Sequence, residues 1–301
     1  MCANHERYAD DLRVFVKPEP HKITKLEEGR LRLISAVSFV DTMVDRILFG
    51  WLADVALSST WKTPCMVGWS PIKGGWRAMA NRFVKPMALD RSAWDWTVQQ
   101  WLVEAWLGFI FAVAIDPPDW WIAAVTDRFE MLFFHARFRF QDGTVIKQPR
   151  VGIMKSGCYL TLLLNSVSQV IIHAVAMLQL GLNPFRSMPL AFGDDTIQES
   201  EGLDVNTYIA ELSKLGPKLK SPRIARDVEF IGFLMGEKFT PAYTSKHLYK
   251  LEYSERLPEY LESMQCLYAH HPTMQAVLRR IAARRCPEVV LPTNYVLAFA
   301  G

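Results

Sequence analysis

The sequence predicts a mixed α+β fold, on three observations. Strand-like and helix-like segments alternate along the 301 residues, with no repeat, low-complexity stretch or Ser/Gly linker to separate them. Gly193-Asp194-Asp195 forms a tight turn between Pro189-Leu190-Ala191-Phe192 and Thr196-Ile197-Gln198, residues that prefer strand. Between Asp204 and Leu215 the apolar positions Val205, Ile209, Leu212 and Leu215 step by three and four, an amphipathic helix stopped by Gly216-Pro217. With 50% apolar residues the chain can bury a sizeable core, as one large domain or as two or three packed lobes, and global disorder is excluded.

The elements follow in order. Leu12 to Val16 reads as a strand entering a basic loop. Leu31 to Phe39 is apolar and is either a strand or the start of a helix; periodicity does not decide. Val84 to Leu89 is a short strand that delivers Asp90, and Arg91 to Ile115, rich in tryptophan and then apolar, is most simply one helix on the core. Phe133 to Phe140 alternates as a strand and turns at Gln141-Asp142-Gly143-Thr144. Ser156-Gly157 reads as a flexible loop that starts a helix. Val228 to Leu234 is a strand before the turn Met235-Gly236-Glu237-Lys238, and from about Glu259 the pattern is helical. The apolar runs Trp101 to Ile115 and Cys158 to Leu182 read as buried helices, the first too short to span a membrane and broken by Glu104, the second carrying Thr161, Asn165, Ser168, Gln169 and His173.

Net charge is only +3, which neither demands nor excludes a nucleic-acid partner. Its distribution says more. Arg13, Lys17, Lys22, Lys25, Arg30 and Arg32 stand against Glu19, Glu27 and Glu28, and Arg279, Arg280, Arg284 and Arg285 suit one side of a helix, either a solvated face or an anion-binding one. The five cysteines (Cys2, Cys65, Cys158, Cys266, Cys286) show no zinc-binding spacing, so reduced thiols and a cytosolic-type environment are expected. The polar N-terminus is no signal peptide.

Chemistry concentrates in carboxylates. Asp194 and Asp195, adjacent on one turn, repel each other unless a hard divalent cation, magnesium or manganese, sits between them; alone, such a triplet is equally an ordinary turn. Asp90 at a strand end can reach the same cation if the two strands are neighbours, and Asp95 follows five residues later between two tryptophans. Thr161, Asn165 and Gln169 recur every four residues as a polar stripe on a greasy helix, serving either a hydroxyl-rich ligand or internal capping.

In that order, Asp90-x4-Asp95, Ser156-Gly157-x3-Thr161-x3-Asn165 and Gly193-Asp194-Asp195 resemble the palm motifs of RNA-dependent RNA polymerases of positive-strand RNA viruses. Ser92-Ala93-Trp94-Asp95-Trp96-Thr97, Val67-Gly68-Trp69-Ser70-Pro71 and Glu229-Phe230-Ile231-Gly232 look most like the sobemovirus-like (Solemoviridae-like) group, and the resemblance runs from about Val14 to Lys246.

The resemblance implies a right-hand polymerase fold: a palm with a small antiparallel sheet backed by helices, fingers, and a reduced helical thumb. It implies fingers over 1–83, palm over 84–100, a fingers insertion over 101–150, palm again over 151–250, and a thumb remnant over 251–301. The implied activity is template-directed nucleotidyl transfer from a ribonucleoside triphosphate to an RNA 3′-hydroxyl, with two Mg2+ ions for which Mn2+ substitutes. Asp90 and Asp194 become the principal metal ligands and Asp195 the supporting one. Asp95, Thr161 and Asn165 select ribose, with Ser156 and Gly157 in a mobile loop beside the template base. Lys17, Lys22, Lys25, Arg30 and Arg32 become phosphate contacts, with Arg30 or Arg32 nearest the triphosphate. Lys220 is the better match for the lysine that protonates pyrophosphate, with Lys218 and Lys214 as alternatives. Gly193 and Lys246 lie along the primer.

The implied partners are template and primer RNA, ribonucleoside triphosphates and other viral replication proteins, without a transmembrane segment of the chain's own. The implied place is the host cytoplasm, at viral replication complexes held to membranes through partners. The chain is short for this family, so a compact polymerase, a processed piece of a polyprotein and an incomplete reading frame all stay open. So does the choice between de novo and protein-primed initiation. A reverse transcriptase is the nearest rival, disfavoured by Gly193 and by the Asp95 and Asn165 pair. A non-catalytic RNA-binding scaffold would have lost a metal carboxylate, and a metal-binding domain unrelated to RNA leaves the ordered set unexplained.

Overall fold

A computed structural model describes residues 9–301; Cys2 and the polar N-terminal residues lie outside them. The first strand, β1 (Leu12–Val16), pairs antiparallel with β2 (Leu33–Ala36) across the basic segment, in which α1 (Ile23–Glu27) forms a single turn or so. The stretch from Leu31 to Phe39 is thus both of the things its composition allowed. It is a strand, then the start of α2 (Phe39–Ser58), whose cap is the Ser38 hydroxyl accepting from Asp41 N at 3.0 Å.

Next come α3 (Gly75–Ala80), β3 (Pro86–Leu89), β4 (Arg91–Ser92), α4 (Trp94–Thr97), α5 (Gln100–Val113) and α6 (Asp119–Phe129). The single helix expected over Arg91 to Ile115 is therefore three elements. Ala93 takes a left-handed φ of 50°, and the backbone after it is drawn into pairing elsewhere. Met154 N donates to Asp95 O at 2.8 Å and Ile153 N to Val98 O at 3.2 Å, so the polypeptide cannot close its own helical bonds until Gln100.

The strand expected over Phe133 to Phe140 also begins late. Helix α6 runs on as a π-helical turn, Glu130–Phe134, closed by His135 N donating to Glu130 O, and burial of Phe129, Leu132 and Phe133 on one face holds it. Only β5 (Arg137–Arg139) is strand. It pairs with β6 (Val145–Lys147) across the anticipated turn, where Thr144 N donates to Asp142 Oδ1 and Gly143 supplies φ +88°.

Helix α7 (Thr161–Gln179) follows, starting four residues past Gly157, then β7 (Leu190–Phe192) and β8 (Asp195–Glu199) around the Gly-Asp-Asp turn. The amphipathic helix is α8 (Val205–Lys214), capped by Asp204 accepting from Thr207 N. Then come β9 (Lys218–Leu219), β10 (Arg223–Ile224), β11 (Val228–Phe230), β12 (Phe233–Met235) and β13 (Phe239–Pro241). The strand expected over Val228 to Leu234 is a hairpin instead. Phe230 opposes Phe233, and both loop residues, Ile231 and Gly232, have positive φ (41° and 79°), the geometry that matches strand twist in a two-residue turn. Helices α9 (Thr244–Glu252), α10 (Leu257–Leu267), α11 (Pro272–Arg285) and α12 (Thr293–Ala300) complete the chain; the last three follow the pattern expected from about Glu259, and α9 precedes it.

Sheet order is β2-β1-β5-β6, β10-β3-β8-β7, β11-β12-β13 and β4-β9, a mixed α+β architecture. The chain divides into two compact units. The first (1–68, 90–196 and 204–221) is cored by α2, α5, α6 and α7, with Trp106, Phe133 and Leu164 fully buried. Helix α7 is long and apolar enough to cross a membrane by length and composition alone. Most of it is buried in protein, against α5, α8 and β7, as a core helix is.

The second unit (69–89, 197–203 and 222–301) packs α10 and α11 through Leu261, Met264, Tyr268, Met274 and Leu278. The described cysteines, Cys65, Cys158, Cys266 and Cys286, are all free thiols.

Candidate active site

Every residue of the site described next belongs to the first unit. Asp90 leaves the end of β3 fully in reach of solvent, its side chain 57% exposed. The β4–β9 ladder sets Arg91 opposite Leu219 and Ser92 opposite Lys218, so the next rung brings Asp90 and Lys220 together. Lys220 N donates to Asp90 O at 3.0 Å, and the Lys220 ammonium forms an ion pair with the Asp90 carboxylate. Both side chains are more than half exposed, so water and salt screen the pair and it adds little stability.

The turn that carries Asp194 and Asp195 is held from beneath. Gly193 takes φ +66° and donates its N–H to the buried Ser166 hydroxyl of α7 at 2.8 Å. Arg91, 7% exposed, donates from Nη1 to the Asp194 carbonyl at 2.7 Å and to the Thr196 hydroxyl at 3.1 Å. Burial draws the Arg91 pKa down to about 10, and Tyr208, Asp194, Asp195 and Asp90 oppose that fall. The charges of the strand-end carboxylate and of both turn carboxylates therefore all act on one arginine. Tyr208 in turn meets His173 Nδ1 at 2.7 Å.

Asp95 lies beside this group on α4, half-buried. Burial pushes its carboxyl up to about 6, helped by the charge of Asp194, while a hydrogen bond from Asn165 and the charges of Arg32 and Lys155 pull the other way. Asn165 is buried at 5% exposure and accepts from the Trp94 indole N–H at 2.8 Å. The Asp95 and Asn165 pair that the sequence suggested is thus in direct contact. Thr161 faces elsewhere: its hydroxyl is engaged by the carbonyls of Lys155 and Cys158 at 2.7 and 2.8 Å, closing the turn ahead of α7.

Ser156 and Gly157 are stitched to β2. Gly157 N donates to Ser35 O at 3.0 Å and the Ser156 hydroxyl accepts from Ser35 N at 3.3 Å. A Cβ on Gly157 would stand 2.7 Å from Ala36 Cα, so the glycine is required by close approach of the strand. The preceding residue, Lys155, is fully buried, with Nζ donating to Gln148 Oε1, Ile153 O and Gly152 O at 2.5, 2.6 and 3.0 Å. Burial lowers it to about 7, and three acceptors match the three protons of an ammonium.

In the basic segment, Lys17 and Arg32 both pair with Glu19, and Arg30 pairs with Glu28. Arg32 is the one whose charge bears on Asp95; Lys22 precedes the exposed α1 and Lys25 lies within it. Lys214 pairs with Glu211 on α8, and Lys246 lies on α9 in the second unit. Three residues escaped the sequence reading: Arg91, Trp94 and Lys155. Nothing in one sequence marks them. They sit beside recognised positions, and only the fold shows what each one bonds.

Among the described residues, no three His, Cys, Asp or Glu side chains stand as a ready-made metal shell. The side chains of Asp90, Asp194 and Asp195 nonetheless offer only carboxylate oxygens, with Asp90 and Asp195 exposed, a set suited to a hard divalent cation rather than to zinc or copper.

Comparison with solved structures defines the class first. The chain superposes on a Sicinivirus 3Dpol RNA-dependent RNA polymerase with a TM-score of 0.75, covering 95% of this chain and 66% of that one at 20% identity; the fold is the right-hand polymerase fold. Residues 12–266 match the sequence family described as viral RNA-dependent RNA polymerase, and the chain belongs to that family.

Among relatives, the replicase polyprotein P2AB of Cocksfoot mottle virus is 34% identical over 197 residues, 63% of this chain and 20% of the polyprotein. Protein P1-P2 of Potato leafroll virus is 28% identical over 82% of this chain and 23% of its own length. The RNA-directed RNA polymerase of Mushroom bacilliform virus is 28% identical over 91% of this chain and 69% of its own length. The chain spans about a fifth of the first of these relatives. The kinship lies with polymerases of positive-strand RNA viruses of the sobemovirus-like and luteovirus-like groups.

Proposed function

We propose that this chain catalyses template-directed RNA synthesis, transferring a nucleotidyl group from a ribonucleoside triphosphate to an RNA 3′-hydroxyl. The observation that carries it is that the Asp194-Asp195 turn is held by the buried Arg91, the residue after Asp90, so that the charges of all three carboxylates act on one arginine, with the bonded Asp95 and Asn165 pair on the same first unit. Asp90 and Asp194, supported by Asp195, would hold two magnesium ions. When bound, these supply positive charge that lowers the 3′-hydroxyl pKa and balances charge on the triphosphate.

The chain's own groups divide the remaining work. Arg91 fixes the carbonyl of Asp194, so the turn keeps its carboxylates directed while its own backbone stays rigid. Asp95 and Asn165 recognise the ribose hydroxyl, and a deoxyribose leaves them short of that hydrogen-bond partner in a site screened from water. Arg32, with Lys17, Lys22, Lys25 and Arg30 on the same basic segment, contacts the triphosphate. Lys220 donates the proton to departing pyrophosphate after leaving Asp90, and Ser156 and Gly157 border the template base. Gly193 supports the primer.

The fingers, palm and thumb boundaries given for the sequence complete the reading. Template RNA, primer RNA and other viral replication proteins are the partners, in host cytoplasm at membrane-held replication complexes.

The test is primed extension with magnesium and four ribonucleotides, comparing this protein with Asp194→Ala. Product lost in the variant, by about a thousandfold or more, supports the assignment. Equal product from both sinks it. If neither extends the primer, a chain lengthened to the span of the relatives is assayed, and failure there too rejects the polymerase reading.

A further inference from the structure

On the polymerase reading above, on which this rests, we propose that Trp94 is a positioning residue for ribose selection: its indole N–H fixes which way the Asn165 amide points. The indole N–H can only donate, so the Asn165 atom 2.8 Å from it has to be the carbonyl oxygen. The amide nitrogen then faces the other way, where Asp95 accepts from it. Ionised Asp95 can only accept, so this is the one flip that satisfies both neighbours. Turned over, the amide would set its oxygen against a carboxylate and leave a buried indole N–H without an acceptor.

The geometry is built to deliver this. Trp94 and Asp95 are consecutive residues on α4, and both reach the same side chain of α7. The left-handed Ala93 (φ 50°) turns the polypeptide just before them, and Thr97 closes α4 by donating to Trp94 O at 2.8 Å. Trp94 is 4% exposed and Asn165 5%, so water does not compete for the bond. Gln169 Nε2, one turn further along α7, donates to Asn165 O at 3.1 Å.

A 2′-hydroxyl is both donor and acceptor. The fixed amide keeps one N–H for its oxygen, and Asp95 accepts a hydrogen bond from its O–H; a 2′-hydrogen offers neither. Loss of the indole N–H frees the amide to rotate, and the donor needed to read the hydroxyl is no longer held in place.

The experiment is single-nucleotide extension, measuring kcat/KM for a ribonucleotide and its 2′-deoxy analogue. The proteins are the unaltered chain, Trp94→Phe, and a chain with β-(3-benzothienyl)alanine at position 94, which keeps the shape of tryptophan and lacks only the N–H. The ribo-to-deoxy ratio is expected to fall about tenfold in both altered chains. If Trp94→Phe fails to fold, the benzothienyl chain decides alone.

A merely structural role would lower both kcat/KM values together, and an unchanged ratio overturns the proposal. An unaltered chain that extends with ribo and deoxy substrates equally also overturns it. A chain that extends with neither, in the longer form as well, rejects the polymerase reading itself.

Discussion

Two places in the first unit use the same ingredients, aspartates around a buried arginine, to opposite ends. Arg128 on α6 meets Asp45 on α2 with two bonds, at 2.5 and 3.1 Å, and Asp41 at 3.4 Å. Burial opposes the Arg128 charge, but hydrogen bonding and charge from Asp45, joined by Asp41, outweigh it and raise the guanidinium pKa. All three side chains are 5% exposed or less. Arg91 instead donates to a carbonyl and a hydroxyl of the turn, at 2.7 and 3.1 Å, and Asp90 and Asp195 stay exposed at its edge. One arginine neutralises its carboxylates to join two helices. The other fixes the backbone that presents them, so negative charge remains for a cation.

The contrast predicts opposite outcomes for one kind of substitution. Asp45→Ala leaves Arg128 buried without its bidentate partner, and denaturant unfolding is expected to show a loss of about 3–5 kcal/mol. Asp194→Ala removes a partly exposed charge from a repelling group and should change stability by less than about 0.5 kcal/mol, while extension disappears. If Asp194→Ala costs as much stability as Asp45→Ala, the turn is structural and the contrast fails.

The arginine of the site offers a finer test. Lysine keeps the charge at position 91 but lacks the fork that reaches the Asp194 carbonyl and the Thr196 hydroxyl together. Arg91→Lys should lower kcat roughly tenfold to a hundredfold with little change in KM for the nucleotide, the share of one or two charge-assisted hydrogen bonds. Binding of Mn2+ alone, followed by electron paramagnetic resonance without RNA or nucleotide, should weaken in parallel. A loss of folding stability with kcat and Mn2+ affinity intact would reduce Arg91 to the role that Arg128 has.

How much of this was legible in the sequence follows the same division. The turn at Gly193, the strand ending at Asp90 and the α8 helix could be read because each depends on neighbours in sequence: a positive φ, a β-prone run, a 3.6 period. The break at Ala93 could not, since it is imposed by residues 153 and 154 pairing with a backbone more than fifty residues earlier. The π-helical turn at Glu130–Phe134 hid behind an aromatic alternation that suits a strand equally well. In the site, carboxylates announced themselves by chemistry. Arg91 acts through hydrogen bonds to partners 103 and 105 residues away and Trp94 through one to a partner 71 residues away, and no local pattern encodes that.

The smallest effect expected concerns the seat of the turn. Ser166 is fully buried on α7; its hydroxyl donates to Leu162 O and accepts from Gly193 N, both at 2.8 Å. Ser166→Ala removes the acceptor for a buried glycine N–H with almost no change in volume, so a loss of about 1 kcal/mol is expected in denaturant unfolding. Because Arg91 still grips the turn one residue further on, kcat should fall only a few-fold, well short of Arg91→Lys. The two supports share a single short turn, so Ser166→Ala with Arg91→Lys should cost kcat more than the product of the separate changes. Strict multiplicativity in that double-mutant cycle would show that they hold the turn independently, and that Arg91 alone positions Asp194.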